Sequence, residues 1–219
     1  MPKSEFAQAL DRIQTALKPL LTQAGFRVRG RAFNRQTTDG LTQVISIQMG
    51  ASDPPGTTYI PGLRENMHGM FAVNLGVYVP EVAHYSGSPS KAWIQEYDCC
   101  VRARLGELIG EGKEIWWHAR SGDDVISDVR HRIEDTSFPF LDRFATRDGI
   151  LQEWAGRAEN MGASRPPRIV SAIILATRGE HDRSRELLVE QVRQATINLG
   201  HKKYVAELAA RLGLGDLSA

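Results

Sequence analysis

Three groups of residues in this chain have types and spacings that could do chemistry. The stretch CCVRARLGELIGEGKEIWW, from Cys99 to Trp117, sets adjacent cysteines beside Arg102, Arg104 and Glu107 and closes on paired tryptophans. A thiol next to basic groups can become a reactive thiolate. Asp98 followed by Glu111-Gly112-Lys113 imitates the Asp then Glu-x-Lys set with which metal-dependent nucleases hold Mg²⁺ and position a water. That chemistry needs Glu and Lys fixed on a strand, and GEGK reads as a turn. The third group is Arg27, Arg29 and Arg31, spaced by two as on one face of a strand and suited to carboxylates or phosphates.

Other reactive constellations are missing from the sequence. His68, His84, His118, His131, His181 and His201 are scattered, with no HExxH, CxxC or HxH, so no metal site is expected. No Walker-type loop, Rossmann fingerprint or nucleophile elbow occurs, and no cofactor is expected. Cys99 and Cys100 therefore read as small buried hydrophobes.

The elements that position these residues follow from periodicity. Phe6, Leu10, Ile13, Leu17, Leu20 and Leu21 make an amphipathic helix, capped by Ser4, ended by Gly25, and kinked or restarted at Pro19. GFRVRGRAFNRQ then alternates as one strand with a bulge at Gly30. LTQVISIQM alternates as a second and MFAVNLGVYVP as a third, giving an antiparallel sheet with one core face and one polar face. The polar face would carry Arg27, Arg29, Arg31, Ser46, Gln48, Asn74 and Tyr78. The Gly/Pro-dense loop over 50–69 carries Tyr59, Ile60, Leu63 and Met67, which either pin it or meet a partner.

From Pro89 to Ile109 the apolar residues fall at helical spacing, which predicts a helix with Cys100 on its stripe and local ion pairs of Arg102 with Asp98 and Arg104 with Glu107. KEIWWHA reads as a further strand. A helix starts at Asp123 and Asp124, broken by Pro139, and helical packing residues run to Trp154. After the junction ENMGASRPP come a helical hairpin turning at Gly179 and a last helix, HKKYVAELAARL. The hairpin resembles a single tetratricopeptide-type unit, which cannot bury its face alone. Gly106 inside a helix costs about 1 kcal/mol against alanine, so it signals close backbone packing or a ligand.

The reading is an α+β fold: an antiparallel sheet of three to five strands packed by helices, with a C-terminal helical extension. Residues 1–160 would form the α+β domain and 165–219 the docked helices. The 219 residues, 42% apolar and 24% charged, fit a globular chain. Two adjacent cysteines make no disulfide framework, and neither a signal peptide nor a run of about 20 apolar residues is seen, so a cytoplasmic location with no membrane partner is expected. A net charge of +1 hides segregation: residues 1–35 carry seven Lys/Arg against two acids, 36–164 eleven against eighteen, and 165–219 nine against six. The acidic middle argues against nucleic acid.

The order of Gly-Phe then Arg-Gly-Arg-x-Phe, Gln-Val-Ile, Asn-Leu-Gly and Arg-x-Arg-Leu-Gly-Glu-Leu with paired tryptophans resembles the bacterial family named domain of unknown function 4304, over about residues 5–155. The resemblance implies a small α+β domain without an established activity. The functional expectation is a non-catalytic protein that binds another protein, in the manner of an immunity or antitoxin-like factor neutralising a bacterial toxin or effector, with a homodimer left open. Its rival is an enzyme or small anionic-ligand binder using the arginine face. Arg27, Arg29, Arg31, Gln48, Asn74, Tyr59, Arg104 and Glu107 are the candidate partner- or ligand-binding residues, with no catalytic residue assigned.

Overall fold

The computed structural model describes residues 3–50, 58, 60, 66–110, 114–120, 122–154, 166–195 and 197–217. The expectations for Tyr59, for most of the 50–69 loop, for Glu111-Gly112-Lys113 and for most of the 159–167 junction lie outside them. The first element is helix α1 (Glu5–Gln23), where the Ser4 hydroxyl accepts from the Ala7 amide. It runs through Pro19 without stopping. The lost amide bond at the proline is offset by burial of Leu10, Ile13, Leu17, Leu20 and Leu21 along one face.

The strands are β1 (Arg27–Arg29), β2 (Ala32–Gln36), β3 (Thr42–Met49), β4 (Met70–Tyr78), β5 (Val101–Arg104) and β6 (Trp117–His118). They form one α+β sheet in the order β1-β2-β3-β4-β5, with β6 paired antiparallel to the start of β4. Gly30, at φ +59°, is the turn of a β1–β2 hairpin and not a bulge within one strand. Its backbone conformation is one that a side chain disfavours, so the chain reverses there.

Two further expectations change. All residues of β4 from Phe71 to Val77 are buried, so this strand has no wet face, and Asn74 is only 4% exposed. Residues 93–109 are not one helix. They form a 3-10 turn (Glu96–Asp98), then β5, then the short helix α3 (Leu105–Ile109). The apolar spacing fits a helix, yet over so short a run periodicity cannot separate helix from buried strand, and pairing with β4 decides.

The remaining helices are α2 (Pro80–Tyr85), α4 (Asp123–Arg132), α5 (Phe138–Arg143), α6 (Arg147–Trp154), α7 (Pro167–Thr177), α8 (His181–Gln194) and α9 (Leu199–Arg211). Pro139 does not break the chain between α4 and α5. A widened π turn over Ile133–Ser137 joins them, and the proline falls in the first turn of α5, where its ring is tolerated.

The chain divides into two compact units that do not follow sequence order. Unit 1 is Met1–Gln36, Gln43–Gly76 and Ala103–Asp142; unit 2 is Thr37–Thr42, Val77–Arg102 and Arg143–Ala219. In unit 1, Arg35 is a central cation. Its Nε donates to Gln43 Oε1 at 2.7 Å, Nη1 to the Ala24 carbonyl at 3.1 Å and Nη2 to Asp142 at 3.0 Å, with Phe26 4.8 Å below the guanidinium. In unit 2, α7 is buried nearly all round and packs on α2, α6 and α8. Gly179 (φ +82°) makes the α7–α8 turn, and the Ser184 hydroxyl donates to the Ala172 carbonyl across the hairpin.

Candidate interaction surface

The arginine face expected from the sequence does not assemble. The register pairs Arg27 with Asn34 and Arg29 with Ala32, so these four share one side of the β1–β2 hairpin. Arg31 therefore points to the other side, where its guanidinium lies 3.3 Å from Asp11 of α1. A hairpin turn between the second and third arginine is enough to separate them. Arg27 and Arg29 are exposed, and Gln48 is exposed near the end of β3.

Asn74 meets Gln48 as expected of neighbours on one sheet face, its Nδ2 donating to Gln48 Oε1 at 2.7 Å. The Arg104 guanidinium pairs with Glu114 and lies 5.4 Å from the Trp116 ring centre. Glu107, exposed on α3, accepts from the Arg104 amide at 3.4 Å, which is a capping role. The structure thus brings together Gln48 and Asn74, and Arg104 and Glu107.

Gly106 is explained by packing. A Cβ built there would press into the backbone of Ile115, with its N and carbonyl C at 2.8 Å. The cysteines are equally structural. Both are buried, with sulfur donors reaching the carbonyls of Gln95 and Val77. Burial pushes the Cys99 thiol well up from its ordinary range, helped by Cys100 and by the carboxylates of Glu96 and Asp98. Native protein at pH 8 is accordingly expected to react with a thiol reagent at least a hundredfold more slowly than urea-unfolded protein, a comparison that a colorimetric thiol assay reads directly. Among the described residues no group of three or more His, Cys, Asp or Glu could hold a metal ion.

What the sequence reading missed lies just before the motifs that begin at Asp98 and Cys99. Tyr97, placed in a helical core stripe by periodicity, is 67% exposed. It sits on the 3-10 turn Glu96–Asp98, which is tightly held: Asp98 Oδ2 accepts from the Gln95 amide at 3.0 Å, and Asp98 Oδ1 takes the Lys91 ammonium at 2.5 Å. The same ammonium lies 5.5 Å from the Tyr97 ring centre. On the residue before Tyr97, Glu96 accepts from Arg102 Nε at 2.5 Å, and that bond is the main reason the guanidinium holds its proton more firmly than usual. A large aromatic ring is thus displayed on a turn that its neighbours fix. The one available signal was Gln95 three residues before Asp98, the spacing of a capping turn.

Residues 64–143 match a family model described as Domain of unknown function (DUF4304). Over this stretch the chain is similar to DUF4304. The DUF4304 match is narrower than the expected 5–155. It takes in β4, the Tyr97 turn, β5, α3, β6, α4 and α5, and leaves α1, the β1–β2 hairpin, β3 and α6–α9 outside. No curated protein and no solved structure matches the chain. No helix among the described residues is long and apolar enough to cross a membrane.

Proposed function

We propose that this protein works by binding another protein, and that the Tyr97 turn within the DUF4304 match is part of the contact surface. The observation that carries the reading is an aromatic side chain two-thirds exposed on a turn whose every neighbour is hydrogen-bonded. Tyrosine and arginine are among the residues that concentrate binding energy at protein interfaces, and a side chain carried on a turn already held in place adds little backbone ordering cost on association. Arg31 and Arg104, two of the four cations that an anionic-ligand site on the sheet would use, are instead taken up by Asp11 and Glu114.

The test is affinity capture of the full chain from its source cells, with native mass spectrometry of the eluate. A protein recovered at a fixed stoichiometry, and released by Tyr97→Ala, supports the proposal. Recovery of no stoichiometric partner under gentle conditions counts against it. An immunity or antitoxin-like role is the finer form of this proposal. It requires that the captured partner be toxic when expressed alone and harmless when co-expressed with this chain.

A further inference from the structure

We infer that the Tyr97 surface takes an acidic segment of a partner protein, one that lays an apolar side chain on the Tyr97 ring and places carboxylates beside Lys91 and Arg102. The inference rests on the protein-binding reading above and adds the chemistry of the partner. It comes from counting donors and acceptors. Both carboxylate oxygens of Asp98 are engaged, one by Lys91 and one by the Gln95 amide. Glu96 holds Arg102.

The two acids are also tucked in, at 13% and 11% exposure, while Lys91 and Arg102 stand out at 37% and 39%. Arg102 uses one of its five N–H groups in that bond and Lys91 one of its three. The surface therefore presents spare donors around an apolar ring and few spare acceptors, and its complement supplies acceptors around an apolar contact. Carboxylates meet that need through charge-assisted bonds. Nucleic acid fits less well, because two cations neutralise too little of a phosphate run, and the 36–164 segment is acidic overall.

The experiment is a selection of random peptides displayed on phage against the immobilised full chain, followed by fluorescence anisotropy of the selected peptides on the wild type, Tyr97→Ala, Tyr97→Phe and Arg102→Gln, with a homopolymeric single-stranded DNA as a second probe. The expected peptides are enriched in Asp and Glu around an aliphatic or aromatic residue. Their affinity falls about tenfold or more in Tyr97→Ala, stays within about threefold in Tyr97→Phe, and drops about fivefold in Arg102→Gln and with rising salt, as the loss of an interface anchor or of one charge-assisted contact predicts. Circular dichroism melts that match the wild type show that the variants are folded. The inference is overturned if selection yields no peptide, if the selected peptides lack acidic enrichment, if they bind Tyr97→Ala as tightly as the wild type, or if the DNA binds this surface more tightly than they do. A captured protein that needs Tyr97 but offers no acidic segment, and whose affinity ignores salt, defeats the inference and leaves the protein-binding reading standing.

Discussion

Replacing Gly106 by alanine is expected to destabilise the protein by about 3 kcal/mol, the upper end of what inserting a single methyl into a close-packed site costs. The new Cβ would meet backbone, since the Ile115 N and carbonyl C both lie 2.8 Å from its position. Backbone cannot rotate aside as a side-chain tip can, and Ile115 leads into Trp117, whose strand β6 is paired to β4. For a chain of this length the loss corresponds to a fall in Tm of about 6–12 °C. The comparison variant is Gly200→Ala. That glycine is also helical, in the first turn of α9, but the nearest atom to its added Cβ is Asn198 Oδ1 at 3.6 Å. Alanine there should stabilise by up to about 1 kcal/mol through helix propensity alone. Opposite signs from the same substitution, read by thermal melts, separate packing from propensity; a Gly106→Ala protein as stable as the wild type would refute the close contact.

The second large effect is expected at Arg147, in unit 2. Its Nε and Nη2 donate to the two Glu81 oxygens at 2.6 and 2.8 Å, its Nη1 donates to the Asp39 carbonyl, and its amide donates to Asp39 Oδ2 at 2.7 Å. The bond to Glu81 leads the causes that raise the guanidinium above its already high pKa. One side chain therefore ties the 37–42 turn and α2 to the start of α6. Arg147→Ala leaves the Glu81 carboxylate, 13% exposed, without its counter-ion, and should cost about 2–3 kcal/mol, less than a fully buried pair because the group is partly solvated. Arg147→Lys restores charge but not the two-pronged geometry and should recover about half. Urea unfolding of the three proteins gives the order; a lysine variant equal to the wild type would show that charge alone matters.

Local pattern was a reliable guide wherever one face of one element met the core. The α1 stripe from Leu10 to Leu21, the Ser4 cap, the α7–α8 hairpin and its Gly179 turn all follow from spacing and capping chemistry. The pattern misled where pairing partners are distant in sequence. GFRVRGRAFNRQ alternates equally well as one strand or as two strands about Gly30, and the difference sends Arg31 to Asp11 and leaves Arg27 and Arg29 outside. Asn74 looked like a wet-face residue because its strand alternates, yet β4 is covered on both faces, and alternation reports polarity, not cover.

The candidate surface was the least legible part. Its ring, Tyr97, matched a helical stripe that the fold does not form, and its supports are Asp98, Lys91, Glu96 and Arg102, which are ordinary charged residues in the sequence. The amino-acid sequence by itself determined the α+β class and the first and last helices, because periodicity and caps are properties of neighbouring residues. Tertiary structure alone decided which arginines share a face, why residue 106 is glycine and which aromatic ring stands in water. Those outcomes depend on contacts between segments far apart in the chain, where β4 pairs with β5 and β6 and the backbone at 106 meets the backbone at 115.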